Sequence, residues 1–424
     1  MKQRPYVRVD IIGGGHVALA LTKKILTSDI VSYLSSLYIW KKAENQYPLD
    51  IGGRSTLFED TLHLFQMYMR RRSVSVASVE PEVRFYKKVS DLRSIVIENI
   101  EWESEGGQSV LLLLSKYHLS PYFGGNKTWD DLPNELQSVV RSVLSVESSE
   151  PTLDVSHTPA SRFEEFQRRY KLIVSKLEAF AKGSMIVPER LYRLKDSALS
   201  ISVLAQMLKK FPGTVLNFVN EVETTSMILT EVSEIPPERI MAPCQHDNHR
   251  VQYALQCMLT SKLGDVHVEC PLFGPHNNLA FVPESQVVIN GQTLDTFPHA
   301  DEVRLALSPA IKWGTLYGEQ LYRERGSSNE DSTLSLLEAL EGIVFPEKST
   351  DMRAICYYHS EKVFTGLFGR FDSTGTFVVK NNQLDALGAN DCARFALSLA
   401  EQQALDRMFR ELLYDKTYIY RPVR

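Results

Sequence analysis

Three consecutive glycines, Gly13-Gly14-Gly15, stand between the apolar run Val7-Arg8-Val9-Asp10-Ile11-Ile12 and an amphipathic stretch from Val17 to Leu26. This order predicts a buried strand, a tight turn and a helix. It constrains the fold strongly, because few chains need backbone this bare where a strand hands over to a helix. Glycines there let the main chain approach a pyrophosphate, and the helix N-terminus adds positive partial charge. Gly13 and Gly15 fall at the first two glycine positions of the dinucleotide-binding pattern, and Ala18 takes the third, which the pattern permits. His16 and Val17 open the helix that would face the phosphates. A second strand, Leu34 to Trp40, completes a βαβ unit. It ends in Lys41-Lys42, where the pattern normally places a ribose-binding acid. Two alternatives follow: Lys41 pairs with a 2′-phosphate, which implies NADP, or both lysines are solvated surface residues.

Beyond this unit the pattern predicts a helix over 57–70, short strands at 83–85 and 95–97, and a buried strand over 109–114. A polar excursion from 115 to 161 follows, with one helix near 136–144. Helices at 162–181 and 191–210, a strand at 214–219, a helix at 223–232 and a strand at 239–243 continue the α/β alternation of a parallel sheet. After Pro243 the pattern changes. A helix over 248–263 precedes short alternating runs at 265–271 and 286–290, which suggest antiparallel strands. Ser308-Pro309 is read as the N-cap and first residue of a further helix. A loop over 326–332, a helix at 333–340, a strand at 377–380 and a helix at 391–412 complete the chain. The expected division is a doubly wound half over 1–244, with an enlarged loop around 115–188, and an α+β half over 245–424.

The chemistry concentrates just after that boundary. Asp247 and Arg250 are three residues apart at a helix start, so they share one face of its first turn. His276 sits in Phe273-Gly274-Pro275-His276-Asn277-Asn278, a loop and not an apolar helix face. A histidine donating a proton, an aspartate holding its tautomer and an arginine clamping a carboxylate are what hydride transfer to a 2-keto acid requires. A metal is a second way to read Cys244, His246, Asp247, His249 and His276, although no standard zinc spacing results.

The 424 residues carry a net charge of −5, with pI about 6.1, which gives no reason to expect nucleic acid or an anionic membrane as partner. Five cysteines without a CxxC pair fit free thiols in a reducing compartment. The strand begins almost at the first residue, and the apolar run Val110 to Leu114 is far too short to span a bilayer, so a cytoplasmic protein is expected.

These motifs resemble those of the lactate and malate dehydrogenase family, over most of the chain. The family's Asp-x-x-Arg is matched by Asp247 and Arg250, and its Gly-x-His by Gly274-Pro275-His276. Their wording is similar to the cytosolic malate enzymes. The asparagine of the family's Asn-Pro-Val-Asp maps to Asn220 in Asn220-Glu221-Val222-Glu223. Gly183-Ser184-Met185 resembles a run in the family's mobile loop, whose closing arginine maps to Arg190, with Arg162 as rival. Lys312-Trp313-Gly314-Thr315 is similar to a helix whose threonine faces the substrate.

The resemblance implies a Rossmann-type parallel sheet followed by a family-like α+β domain. It also implies a homodimer, NAD or NADP as cofactor, and a 2-keto or 2-hydroxy acid as substrate. His276 would be the acid/base, Asp247 its orienter and Arg190 the carbonyl polariser. Arg250, Asn220 and Thr315 would bind substrate. Gly13, Gly15, His16, Val17, Lys41, Ser115 and Asn220 would hold the dinucleotide, and no metal is implied. Glu221 replaces the family's proline, the usual glycine is missing at Leu114-Ser115-Lys116, and neither selecting residue stands near Gly183. Two rivals remain at this stage: a catalytically silent binding or scaffold protein, and an NAD- and metal-dependent glycosidase using Cys244 and His276.

Overall fold

The computed structural model describes residues 7–12, 16–30, 34–40, 82–86, 108–114, 159–209, 211–325 and 329–414, with the short pieces 49–50, 55–56, 128–131 and 137. Gly13, Gly14, Gly15, Lys41, Lys42 and Ser115 lie outside the described residues. So do the helix expected over 57–70, the strand at 95–97 and nearly all of the helix at 136–144.

The strands β1 (Val7–Ile12), β2 (Leu34–Trp40), β5 (Glu82–Tyr86), β6 (Gln108–Leu113), β7 (Thr214–Asn217) and β8 (Ile240–Pro243) are all parallel to their neighbours. Their order β5-β2-β1-β6-β7-β8 is that of a doubly wound dinucleotide-binding sheet. The two-residue strands β3 (Leu49–Asp50) and β4 (Ser55–Thr56) pair separately. Three residues separate the end of β1 from helix α1 (His16–Thr27). The period-2 alternation of a strand shows in the packing: Leu111 and Leu113 enter one core, Val110 and Leu112 the other. Helices α2 (Pro159–Ala181), α3 (Pro188–Met207) and α4 (Val222–Ser233) cover the first face. α1 and a later helix, α7 (Asn329–Val344), cover the second.

β1 is buried along its whole length although it carries two charges. Arg8 and Asp10 project from the same face, two residues apart. Arg8 donates from Nε and Nη2 to the two carboxylate oxygens of Asp10 at 2.8 and 3.1 Å. A bidentate pair of this kind supplies the partners that a buried charge requires.

The sheet does not stop at residue 244. β12 (Met352–Tyr358) adds antiparallel to β8, with Ala354 opposite Pro243, and is followed by β13 (Val363–Phe371) and β14 (Phe377–Val379). The result is one nine-stranded sheet, in which the antiparallel edge comes from the C-terminal half. The sequence reading missed β12 and β13, because both are buried on two faces and β12 carries a buried arginine near its start.

Behind the sheet, α5 (Gln245–Leu263), the short antiparallel strands β9 (Val268–Glu269), β10 (Val288–Ile289) and β11 (Gln292–Thr293), and α6 (Ala300–Arg325) enclose a third core. The expected helix start at Ser308-Pro309 is wrong. α6 begins at Ala300 and Pro309 lies inside it. Asp301 and Glu302 supply the acidic first turn that favours a helix N-terminus. α7 (Asn329–Val344) and α8 (Ala389–Tyr414) complete the fold. Asn329 begins the helix inside what was expected to be loop. Among the described residues no helix is long and apolar enough to cross a membrane.

Within the enlarged loop expected around 115–188, the helix expected at 162–181 is present as α2, starting at Pro159. Phe163, Tyr170, Ile173 and Leu177 form one buried stripe of α2. The connector to α3 is pinned. Ser184 Oγ donates to Glu401 at 2.9 Å, Val187 N donates to Asn278 Oδ1 at 3.1 Å, and Asn278 Nδ2 donates to Met185 O at 2.8 Å.

Candidate active site

β8 runs directly into α5, so Asp247 falls in the first turn of a helix whose free N–H groups favour a carboxylate. The loop carrying His276 returns against that turn, bridged by Phe273 and Phe281 and tied through Leu272 N to Asn248 Oδ1 at 2.8 Å. His276 Nδ1 is hydrogen-bonded to Asp247 Oδ2. The predicted dyad therefore meets, across 29 residues of sequence. The opposite ring nitrogen, Nε2, is the one that Asp247 does not engage. His276 N donates to Glu223 Oε1, and Arg190 Nη1 donates to His276 O at 2.8 Å. The histidine backbone is thus held from both sides of its peptide groups.

Asp247 is buried, and burial works against its ionisation. The charges of His276 and His246, the hydrogen bond to His276 and the guanidinium of Arg353 outweigh that effect and hold its carboxyl well below the usual carboxylate range. His246 lies 3.4 Å from the other oxygen of Asp247, yet burial lowers its own pKa to about 3. It is therefore neutral at physiological pH, with its Nδ1 3.2 Å from Ser335 Oγ.

Arg250, one turn along from Asp247, has Nη1 3.6 Å from Asp247 Oδ1 and donates from Nε to Asp331 Oδ2 at 2.6 Å. Its Nη2 is buried without a hydrogen-bond partner. An unmet donor on a buried guanidinium is a place for an anionic oxygen, because leaving it unmet costs on the order of 1–3 kcal/mol. Asp331 was missed in sequence, since it stands 81 residues away at the start of α7 and carries no motif.

Arg190 lies in the first turn of α3 and is buried, so it is not a residue on a free loop. Besides His276 O, its Nη1 is 3.6 Å from Glu221 Oε1. Burial raises the pKa of Glu221, and Arg190 opposes that shift. Asn220 follows β7, is exposed, and joins Glu221 through a cis peptide bond. Of the two candidate polarisers, Arg190 is the one built into the surroundings of His276; the side chain of Arg162 lies outside the described residues.

Thr315 sits on α6, its Oγ1 donating back to Ile311 O at 2.9 Å. The preceding Gly314 is what lets α6 approach α5. A Cβ there would meet Val251 Cγ2 at 2.5 Å, next to Arg250. Arg250 also lies over the ring of Tyr317, 5.8 Å from its centroid, and Tyr317 stacks on Trp313.

Of the five residues read as possible metal ligands, Cys244, Asp247 and His276 come within 4.8 Å of one another. Their chemistry does not suit a cation. Burial, and then the charge of Asp247, push the Cys244 thiol well above its ordinary range. Arg353 already places a guanidinium 3.2 Å from Asp247 Oδ2. His249 turns away from the cluster to Gln245, 3.0 Å off.

The chain as a whole has the fold of the malate and lactate dehydrogenases. It is similar to Cryptosporidium parvum malate dehydrogenase, with 13% identity, TM-score 0.58, and 96% of this chain and 99% of that one covered. A Plasmodium falciparum malate dehydrogenase in complex with NADH is similar at 10% identity and TM-score 0.58, with 96% and 99% covered. The minor L-lactate dehydrogenase of Enterococcus mundtii is similar at 11% identity and TM-score 0.55, with 95% and 98% covered. No family model matches the sequence, and no curated protein matches it either.

Proposed function

We propose that the protein is an NAD- or NADP-dependent 2-hydroxy acid dehydrogenase. The observation that carries this reading is the hydrogen-bonded pair His276–Asp247 with the unpartnered Nη2 of Arg250 beside it, in a fold whose solved examples include malate and lactate dehydrogenases. The dinucleotide fits the chain at its first crossover. β1 lies at the centre of the parallel sheet, and only three residues, all glycine, join it to α1. Gly13, Gly15, His16 and Val17 would hold the phosphates, with Lys41, Ser115 and Asn220 along the rest of the cofactor. When bound, the nicotinamide supplies the hydride.

The residues of the chain do the rest. Arg250 Nη2 binds the substrate carboxylate and orients the keto carbon, with Thr315 near it and Asn220 at the end of β7. His276 Nε2 gives its proton to the keto oxygen as that oxygen gains negative charge, and takes it back in the reverse direction. Asp247 fixes the Nδ1–H tautomer and stabilises the imidazolium before transfer. Arg190, held beside the loop that carries His276, polarises the keto oxygen. The protein works as a homodimer in the cytoplasm on a small 2-keto acid, without nucleic acid or membrane.

One observation favours a second reading, a binding or scaffold protein without turnover. Both substrate-directed arginines already face acids of the chain itself, Arg250 with Asp331 and Arg190 with Glu221. Fluorescence titration with NADH and NADPH, followed by turnover of a panel of 2-keto acids, separates the two. Cofactor binding with turnover of at least one acid is expected. Binding without turnover of any acid would favour the scaffold reading, and no binding would end the dehydrogenase reading.

A further inference from the structure

Arg353 has 0% relative exposure, yet its guanidinium meets five acceptors. Nε donates to Leu272 O at 2.8 Å. Nη1 donates to Asp247 Oδ2 at 3.2 Å and to Cys244 O at 3.4 Å. Nη2 donates to Gly274 O at 2.7 Å and to Pro275 O at 3.4 Å. These acceptors belong to two segments. One is the junction of β8 with α5, which carries Asp247; the other is the loop of residues 272–275, which delivers His276. The backbone of Arg353 ties the first segment again, since Cys244 N donates to Arg353 O at 3.1 Å and Arg353 N donates to Gln245 Oε1 at 2.7 Å. Across the hairpin, Gly366 leaves the room this requires. A Cβ there would stand 2.6 Å from Arg353 Nη2 and 2.1 Å from Gly274 O.

We infer that Arg353 is the positioning residue of the His276–Asp247 dyad, a clamp on β12 that sets the distance between the two segments and tempers the charge of Asp247. The inference rests on the reading of His276 as proton donor. The fixed fork of an arginine suits this task, since one rigid plane satisfies acceptors in two directions at once; a lysine offers a single point. The second effect is electrostatic. Asp247 is faced by His276, His246, Arg250 and Arg353, with the Cys244 thiol beside it. Left to His276 alone, the carboxylate would hold the imidazolium strongly. Arg353 shares the same oxygen, Oδ2, and opposes a second positive charge there, which keeps the proton transferable.

The test compares wild type with Arg353→Lys and Arg353→Met, folding being checked by circular dichroism and thermal melting. The first readout needs no turnover: the proton NMR signal of the His276 Nδ1–H bonded to a carboxylate, which lies far downfield, and its pH dependence. The wild type should show the signal and His276→Asn should lack it. Arg353→Lys should broaden it or move it upfield, and should lower kcat by about tenfold or more, with dinucleotide affinity within about twofold. Arg353→Met should lose it. If Arg353→Met does not fold, Arg353→Lys decides alone. A folded Arg353→Lys with wild-type signal and kcat overturns the inference, as does a wild type without the signal. A wild type that shows the signal but turns nothing over ends the dehydrogenase reading, while loss of the signal in the variants still supports the clamp.

Discussion

Asp331 holds the Nε edge of Arg250 at 2.6 Å, while the Nη2 edge of the same guanidinium is buried without a partner. One acid therefore fixes the arginine through Nε, and Nη2 is the donor left without a hydrogen-bond partner. Asp331 itself is held below the usual carboxylate range. Burial opposes this, and the hydrogen bond and charge of Arg250 prevail.

This division of the guanidinium makes a paired prediction. Arg250→Lys should raise KM for a 2-keto acid by about tenfold or more with little change in dinucleotide affinity, because a single ammonium cannot hold Asp331 and present a second, fixed donor to the carboxylate as the guanidinium does. Asp331→Asn keeps an acceptor but removes a negative charge beside the incoming carboxylate, and should lower KM about threefold. Steady-state kinetics on both variants checks this; a raised KM in Asp331→Asn would mean that its aiming role outweighs its repulsion.

The dyad supplies the second prediction. Asp247→Asn should cost about a hundredfold or more in kcat, since the amide no longer stabilises the imidazolium and permits the wrong tautomer. The amide also faces Arg353, which would then lack its charged partner, so the melting temperature should fall as well. Unchanged kcat at unchanged stability would remove Asp247 from the mechanism.

A third prediction concerns stability and pH, away from the site. Asp406 on α8 is buried. Its Oδ1 accepts from Gln402 Nε2 at 2.8 Å and from Thr224 Oγ1 at 3.4 Å, while Oδ2 has no hydrogen-bond partner. Burial raises its pKa to about 7, with Gln402 and Arg410 opposing. A carboxyl with a raised folded pKa binds a proton in the folded state that the unfolded chain releases at lower pH. Its contribution is therefore lost as pH rises from the ordinary carboxylate range towards 7, and is flat above that. Asp406→Asn should remove this slope and stabilise the protein at pH 8 by on the order of 2 kcal/mol. Thermal melts of both proteins from pH 5 to 8 measure it, and parallel curves would contradict the assignment.

The parts of the site that local pattern could reveal were legible in the sequence. Asp247 and Arg250 are three residues apart on one helix turn, and His276 stands in a loop marked by glycine and proline. Gly314 betrays a close helix contact only once the partner helix is known. Arg353 and Asp331 reach the same site from β12 and α7, and nothing within a few residues of each distinguishes it from a surface charge. Burial and pairing define these residues, and both are properties of the folded sheet. The same cause hid β12 and β13, whose two buried faces erase the alternation that reveals a half-exposed strand.

Cofactor choice gives the fourth prediction, from residues outside the described part of the chain. β2 ends at Trp40, and Lys41 and Lys42 follow where a ribose-binding acid is usual. NADPH should bind at least as well as NADH. Lys41→Asp should reverse this by removing the pairing with the 2′-phosphate and supplying an acceptor for the 2′-hydroxyl. Fluorescence titration of both dinucleotides reads the ratio of affinities, and an unchanged ratio in the variant would leave the lysines as surface residues.

The last prediction separates Arg190 from Arg162. Arg190 is buried in the first turn of α3 and bonded to the His276 carbonyl at 2.8 Å, so its substitution acts in two ways. On the dehydrogenase reading it removes the polarising guanidinium, and it releases one side of the loop that carries His276. Both effects bear on the transition state, where negative charge grows on that oxygen, more than on substrate or cofactor in the ground state. Arg190→Ala should therefore lower kcat by about a hundredfold with dinucleotide affinity within about twofold. Arg190→Lys keeps the charge and one bond to the carbonyl, and should recover part of that loss. Arg162→Ala, in the first turn of α2, should change kcat by less than about threefold. Turnover of the best 2-keto acid from the panel by all three variants decides the matter. A larger loss in Arg162→Ala than in Arg190→Ala would transfer the polarising role to Arg162 and leave Arg190 as a support of the His276 loop.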